Sequence, residues 1–239
     1  MENILLVDKP KGITSFDVIR ILQKKLHANS APPHSPPAGG SHSGNAKAPT
    51  RIKMGHAGTL DPLATGLMVI GVGEGTKKLN EYLKLPKEYE VEILLGIRTD
   101  TGDFEGKILE SVPILDRYSE IEKRAPMVIQ GVQGKIALPV PIYSAVKRGG
   151  KPLYKAARRG EVVEPPIKDM EVLASVFHGI RREGEHAIIS CAFEVSSGTY
   201  IRSLAEELGR RLGCPATVKE LRRTKIGAFS VEKAMPIYE

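Results

Sequence analysis

Tryptophan is absent from the chain, and cysteine and the other aromatic residues are scarce. The 239 residues include no Trp and two Cys, and aromatic residues make up 5%. The two cysteines, Cys191 and Cys214, are too far apart to suggest a disulfide framework, and the six histidines show no metal-ligand spacing. No apolar run is long enough to span a membrane, and no signal-peptide pattern opens the chain. We therefore expect a cytoplasmic protein without a bound metal.

Complete nucleotide-binding and calcium-binding motifs are missing as well. The segment Gly71–Lys77 lies between a predicted strand and a predicted helix, where a dinucleotide-binding loop would stand. Thr76 occupies the place of the third glycine, and the spacing does not fit a Walker loop. The acidic segment Asp100–Glu105 lacks the alternating ligand positions of a calcium loop, so we interpret it as an acidic turn. We expect no cofactor.

Positive charge and a moderate apolar content are what the chain does have. Hydrophobic residues make up 41%, the net charge is +7, and the isoelectric point is about 9.3. A chain of this length can bury a sizeable core in one or two domains. The basic balance is consistent with a polyanionic partner such as nucleic acid, although it is weak evidence on its own.

Hydrophobic patterning alternates irregularly between strands and helices. Residues 4–7 predict a strand, and Ser15 is predicted to be the N-cap of a helix that follows. Further strands are predicted at 67–70, 89–95 and 187–195, and helices at 76–83 and 201–212. With no internal repeat, this order favours a mixed α/β or α+β domain.

Residues 28–50 break the pattern. They hold five prolines, three glycines and four serines, and no aliphatic residue larger than alanine. Such a segment cannot bury enough apolar surface to offset the entropy of ordering. We predict a disordered insertion at 28–50.

The stretch Gly55–Leu67 reads as a shaped loop that presents one carboxylate. Pro62 fixes its own φ and pushes Asp61 toward an extended conformation, so that Asp61 does not continue a helix. On spacing alone, a structural turn explains Asp61 better than a catalytic site does. His56 alone is likewise more typical of a structural histidine.

Taken together with other segments, this stretch resembles the TruB family, the tRNA pseudouridine-55 synthases. It fits the family pattern G-H-x-G-x-L-D-P-x-A-x-G at every specified position. Each other match is short, but all occur in the family's order, which makes the set specific. They are Leu6–Ser15, Lys87–Val91 with Gly96–Asp103, Tyr143–Lys147 with Tyr154 and Ala157–Arg158, and Ser197–Arg202 with Leu221–Arg223.

The resemblance implies a fold, a reaction and a set of site residues. The fold would be a pseudouridine synthase catalytic domain over residues 1–239, with a central, mixed, mainly antiparallel sheet and no C-terminal PUA domain. The reaction would isomerise uridine at position 55 of the tRNA T-loop after flipping the base. The implied catalytic residues are Asp61, Tyr89 and Arg202, with Arg202 as the partner of Asp61. The implied substrate-binding residues are His56, Tyr200, Leu221, Lys9 and Lys147, with Lys9 shaping the site rather than performing chemistry.

A basic segment at about 135–163 is predicted to be an RNA-binding thumb. Lys135 to Arg159 contains seven Lys or Arg residues and no acidic residue, with Tyr143 and Tyr154 between them. Such a composition can neutralise phosphates while the rings stack or pack. In the TruB family this region resembles the thumb that closes over the T-loop arm.

Two other functions compete with this one. A guide-RNA-dependent pseudouridine synthase of the Cbf type shares the core motifs but depends on partner proteins and a C-terminal RNA-binding domain. An RNA chaperone that refolds tRNA is the non-enzymatic alternative. We expect the tRNA enzyme, acting as a monomer without an obligatory protein partner.

Overall fold

Strands and helices follow one another irregularly around one large sheet. The computed structural model describes residues 3–30, 52–161 and 163–238. The strands are β1 (Ile4–Lys9), β2 (Met54–His56), β3 (Thr65–Val72), β4 (Lys87–Leu95), β5 (Ile97–Thr99), β6 (Ile108–Ser111), β7 (Gly134–Pro139), β8 (Lys147–Arg148), β9 (Lys151–Pro152), β10 (Ile167–Glu183), β11 (His186–Val195), β12 (Ala216–Ile226), β13 (Phe229–Ser230) and β14 (Met235–Pro236). The α-helices are α1 (Ser15–Ser30), α2 (Leu79–Lys84), α3 (Tyr118–Gln130), α4 (Leu153–Ala157) and α5 (Ile201–Leu212). Short 3₁₀ segments lie at Gly73–Lys78, Leu115–Arg117 and Val231–Lys233.

The central sheet is mixed and mainly antiparallel, as predicted. Its order is β14-β1-β3-β12-β4-β11-β10-β7, with β2 paired to β3 and β13 paired to β12. The β1–β14 and β3–β12 pairs are parallel, and the other pairs of this sheet are antiparallel. Strands distant in sequence therefore meet at β3, β12 and β4, where the site is built.

One face of the sheet is covered by α1, α3 and α5, and the main core lies between them. Buried residues of all three helices share this core with Val91 and Ile93 of β4. The apolar positions predicted for a helix over 201–212 are all buried, and they are Ile201, Leu204, Ala205, Leu208 and Leu212. Full burial of a leucine side chain contributes about 1.5–3 kcal/mol, so this face fixes α5 against the sheet.

The start of α1 differs from the prediction by one residue. Because α1 begins at Ser15, Thr14 stands at the N-cap, and its hydroxyl accepts from the Asp17 amide at 3.1 Å. Asp17 in return accepts from the Thr14 amide at 3.0 Å, which completes a capping box. The buried Ser15 hydroxyl instead accepts from the amide of Leu60 (2.8 Å) and donates to its carbonyl (3.0 Å). Ser15 as N-cap is therefore wrong, because its hydroxyl supports a distant loop.

Three other segments differ in extent from their predictions. The helix predicted at 76–83 is a 3₁₀ segment, Gly73–Lys78, followed by α2. Of the predicted insertion at 28–50, residues 28–30 belong to α1, and 31–50 lie outside the described residues. The predicted thumb begins inside β7, which pairs with β10 in the main sheet. Among the described residues of the predicted thumb, 140–161 and 163 lie outside the main sheet, and residues 140–161 are here called the excursion.

Candidate active site

Asp61 lies in the loop between β2 and β3, on a turn anchored by its neighbours. Leu60 and Leu63 flank it and are buried in the core, with 3% and 1% of their surfaces exposed. The Ala64 amide donates to the Asp61 carbonyl at 3.1 Å, closing a four-residue turn with Pro62 at its second position. The two leucines hold the turn down, and the Asp61 side chain stays 37% exposed. The carboxylate is thus presented to solvent from a rigid backbone.

Lys9 supports this turn from below. Its side chain has no exposed surface, and its ammonium donates to the carbonyls of Pro62 (3.2 Å) and Pro10 (2.9 Å). The Gly12 amide donates to the same Pro62 carbonyl at 2.9 Å. Burial lowers the pKa of Lys9 to about 8, and the nearby charge of Asp61 opposes this shift. Lys9 was predicted to contribute to substrate binding, and from this position it would do so by supporting the Asp61 loop rather than by touching the substrate.

Arg202 meets Asp61 from the start of α5, so the expected ion pair is present. The Nη2 atom of Arg202 lies 3.0 Å from Asp61 Oδ2, and the arginine side chain is only 7% exposed. The same guanidinium donates to the carbonyls of Thr101 (2.7 Å) and Tyr143 (3.1 Å). These two bonds hold the guanidinium in place, so Arg202 presents a fixed charge that orients the carboxylate of Asp61.

A second carboxylate, Asp103, lies on the other side of Arg202. Its Oδ2 is 3.9 Å from Arg202 Nη1, and its Oδ1 accepts from the Thr101 hydroxyl at 2.7 Å. Sequence reasoning interpreted this segment as an acidic turn and gave Asp103 no part in the site, and it placed Tyr143 in the thumb rather than beside Arg202. The position of Asp103 depends on a long-range contact, a β-bridge to Val218 of β12, which no local sequence pattern reveals.

Burial and the charges of this cluster shift the pKa values of Asp61 and Tyr200. Enclosure by protein and the charge of Asp103 raise the pKa of the Asp61 carboxyl, whereas Arg202 and Lys9 oppose the rise. Burial raises the pKa of the Tyr200 hydroxyl, which is close enough to Arg202 and Asp61 for both charges to act on it. Tyr200 precedes α5 and is half-buried.

His56 is held as a neutral imidazole near pH 7. It ends β2, where it pairs with Ile70 of β3. Burial and the charge of Arg223 lower its pKa from the ordinary value of 6.5. A neutral ring of this kind suits stacking or packing against a ligand.

Tyr89 and Leu221 lie on the sheet face that carries the Asp61 loop. Tyr89 of β4 is partly buried and packs against the core that contains Leu60 and Leu63. Leu221 of β12 pairs with Val91, two residues beyond Tyr89, so both side chains point to the same face. Leu221 is 7% exposed.

Lys147 is separate from this cluster. It is exposed on the short β8–β9 hairpin of the excursion, and no carboxylate in the described part of the chain lies within 4.0 Å of its ammonium. The structure therefore places Asp61 and Arg202 in contact, Tyr200 within reach of their charges, and Lys147 on a separate element.

A cleft of about 530 Å³ lies on the opposite face of the sheet. Its lining includes Glu90, Glu92, Glu220 and Arg222, which alternate along their strands with residues of the Asp61 face. It does not include Asp61. Within the described ranges, no group of three or more His, Cys, Asp or Glu side chains is arranged to hold a metal. None of the described helices has the length and apolar character to cross a membrane.

Comparison with solved structures identifies the fold. Over 98% of its length the chain matches a chain of a Cbf5–Nop10–Gar1 complex, with a TM-score of 0.62 and 26% identity, over 51% of that chain. It also matches a chain of an H/ACA RNP bound to a substrate RNA containing 2′-deoxyuridine, with a TM-score of 0.61, 23% identity and the same two coverages. The chain spans about half the length of these solved chains. Its fold class is that of the pseudouridine synthases.

Sequence comparison then gives the family. Residues 46–201 match the TruB family pseudouridylate synthase N-terminal domain, and residues 202–238 match the tRNA pseudouridylate synthase B C-terminal domain. The tRNA pseudouridine synthase B of Ectopseudomonas mendocina is 38% identical over all of this chain and 68% of the relative. That of Endomicrobium trichonymphae is 38% identical over 98% of this chain and 89% of the relative. The chain belongs to the TruB family, which confirms the predicted enzyme class.

Proposed function

We propose that the protein isomerises uridine to pseudouridine at position 55 in the T-loop of tRNA. The observation that carries the proposal is the Asp61–Arg202 pair, in which the arginine is buried and the carboxylate faces solvent. A carboxylate that is open to solvent and oriented by a buried arginine is what a cofactor-free isomerisation needs.

The reaction rearranges bonds within one nucleotide. The C1′–N1 bond breaks, the uracil rotates, and a C1′–C5 bond forms, after which the C5 proton leaves and N1 gains a proton. Asp61 begins this sequence by attack on the sugar, by attack on the base or by abstraction at C2′. Each route uses the same oriented carboxylate, and Arg202 stabilises its charge in each.

Other residues around Asp61 have distinct tasks in this proposal. Tyr89, or a water next to Asp61, removes the C5 proton. Tyr200 and Leu221 contact the base, while Lys9 supports the loop from below. The target is stacked in the folded T-loop, so it must be extruded at a cost of a few kcal/mol. His56 then occupies the vacated space as a neutral ring.

Relatives and charge both support tRNA as the substrate. The relatives at 38% identity carry the name tRNA pseudouridine synthase B, whereas the Cbf5 complex matches at 26%. This difference favours a tRNA enzyme over a guide-dependent subunit. Lys147 is exposed and pairs with no carboxylate among the described residues, which supports an RNA partner. The intact Asp61–Arg202 pair favours catalysis over a chaperone role alone. We further propose that the protein acts as a monomer.

The purified chain, without guide RNA or partner protein, is the right material for the test. It is incubated with a T-stem-loop labelled with tritium at uridine C5, and released tritium is counted. Release from this RNA, and none when only the residue at position 55 is changed to cytidine, is the expected result. Release that appears only with added guide RNA and proteins would point to the guided type. Tight binding of the T-stem-loop without tritium release would favour the RNA chaperone instead of the enzyme.

A further inference from the structure

Two adjacent arginines, Arg222 and Arg223, point to opposite faces of β12. Arg222 pairs with Asp8 at 2.7 Å, and its side chain is 39% exposed. Arg223 is 1% exposed and is among the largest fully buried side chains. The same residue type thus serves two different environments one position apart.

Among the residues that the structure describes, Arg223 hydrogen-bonds only to main-chain carbonyls. Its Nε donates to Leu67 at 2.8 Å, its Nη2 to Gly58 at 3.1 Å, and its Nη1 lies 3.5 Å from the Thr59 carbonyl. No carboxylate of the described residues lies within 4.0 Å of its guanidinium, and the nearby Asp61 and Asp8 pair with Arg202 and Arg222. Burying an unpaired cation is costly. The three carbonyls are therefore the groups that compensate the buried charge, and they define what Arg223 holds in place.

These partners lie at the two ends of the loop that carries Asp61, residues 57–67, which is here called the catalytic loop. Gly58 and Thr59 precede Asp61, and Leu67 follows it at the start of β3, so one planar guanidinium joins the two ends of the loop. Arg223 does not itself bond to Asp61, and it acts through the backbone on either side.

Two glycines leave room for this arrangement. Gly66 has a φ of +104°, and a Cβ there would lie 2.2 Å from the carbonyl oxygen of Arg223. Gly58 has a φ of +108°, and a Cβ there would lie 3.4 Å from Arg223 Nη1. Both conformations are unfavourable for residues with a side chain. The loop is therefore shaped around the arginine at each end.

We propose that Arg223 is a positioning residue for Asp61, which holds both ends of the catalytic loop so that the carboxylate reaches Arg202. This inference rests on the proposed function. It extends that function to a residue that has no contact with the reacting atoms.

The test compares R223K with R222K, a matched change one residue away on the other face. The lysine ammonium cannot reach the carbonyls of Gly58 and Leu67 at the same time, as the guanidinium does. R223K should therefore lower the single-turnover rate of tritium release about 30-fold. Its Kd for the T-stem-loop should stay within about threefold. R222K should keep the parental rate.

The pH profile separates positioning from a general loss of stability. In R223K a displaced carboxylate changes both its enclosure by protein and its distance from Arg202, the two largest influences on the Asp61 pKa, so the acid limb of the rate profile should move. A variant that is merely less stable keeps the parental limb. A parental rate, or a lower rate with an unmoved limb, overturns the proposal. If R223K does not fold, Gly58→Ala disturbs the same carbonyl with the arginine retained, and the same two results decide.

Hydrogen exchange tests the inference without catalysis. Amides of residues 57–67 should exchange about tenfold faster in R223K than in the parent, with α5 unchanged. If the parent releases no tritium, the proposed function fails, yet faster exchange in this loop still supports Arg223. If the parent releases tritium and exchange is unchanged, only the inference about Arg223 fails.

Discussion

The catalytic loop, residues 57–67, and the excursion, residues 140–161, are built in opposite ways. Buried side chains hold the loop in place. Lys9 and Arg223 donate to its main-chain carbonyls, and the Ser15 hydroxyl binds both the amide and the carbonyl of Leu60. The excursion is tied to the body near its base, where the Val140 amide donates to Pro166 (3.0 Å) and Tyr143 accepts from Arg202. Its basic side chains that can be described are exposed, and they are Lys147, Lys155, Arg158 and Arg159.

This difference separates two physical requirements. A reacting carboxylate needs placement within a fraction of an ångström, which a hydrogen-bonded scaffold supplies. Attraction to phosphates acts over several ångströms and tolerates a lightly held segment. Changes in the loop should therefore alter rate, and changes in the excursion should alter affinity and its salt dependence.

Asp61→Asn is the strongest test of this separation. The amide has the same shape but is neither a nucleophile nor a base, so isomerisation should be abolished. Binding of tRNA should stay within about tenfold, or ~1.4 kcal/mol. Tritium release and filter binding measure the two effects. Measurable turnover by this variant would remove Asp61 from the chemistry, and Asp116→Asn, an exposed site far from the loop in sequence, is the matched control.

Arg202→Lys should have the next largest effect. An ammonium cannot keep the bonds to Thr101 and Tyr143 while it also pairs with Asp61. Loss of one preorganised charge interaction typically costs about 10²–10³-fold in rate, and we expect a fall in this range. Single-turnover kinetics measure it. Arg210→Lys, on the same helix and paired at the surface with Glu207, should behave as the parent. Parental kinetics in Arg202→Lys would show that the pair is dispensable.

Neutralising Lys147, Arg148 and Lys151 together tests the other side of the comparison. If each contacts one phosphate, tRNA binding should weaken, and the slope of log K against log salt should shrink by about 2–3. Titrations between low and physiological salt measure the slope. Lys123→Ala, an exposed change on α3, should leave the slope unchanged. A parental slope in the triple variant would take the excursion out of the RNA footprint.

Local sequence patterns predicted the elements that local physics determines. The 3.6-residue period over 201–212 marks the buried face of α5, and alternation at 89–95 marks β4. The Asp-Pro pair predicts the turn at Asp61, which the Ala64 hydrogen bond closes. Ser15 failed as an N-cap because Thr14 and Asp17 form the better box, and nothing local reveals that Ser15 binds Leu60.

The support of the site could not be derived in this way. Arg202 binds Thr101 across 101 residues, and Arg223 binds Gly58 across 165. Such contacts depend on β12 lying between β3 and β4, which is a property of topology and not of any local window. The resemblance to a family named Arg202 as a partner, but it gave no role to Asp103 or Arg223.

The smallest effect that we expect is the pH dependence of stability that Lys9 contributes. Its pKa is lowered by burial from 10.5 to about 8, so below pH 8 the lysine is charged in the folded and the unfolded chain alike. Between pH 8 and 10.5 the unfolded chain retains the proton that the folded protein has lost. Stability contributed by Lys9 therefore rises with pH across this window, by at most about 1.4 kcal/mol per pH unit.

Urea unfolding of the parent and Lys9→Met at several pH values isolates this contribution. The stability of the parent should gain on that of the variant as the pH rises from 8 to 10. Lys87→Met should show the same gain, since burial also lowers the pKa of Lys87 to about 8. Parallel curves for the parent and Lys9→Met would mean that water reaches the Lys9 ammonium in the folded protein. Water would then reach the groups that support the catalytic loop as it reaches the excursion. The two segments would differ only in their hydrogen bonds to the rest of the protein.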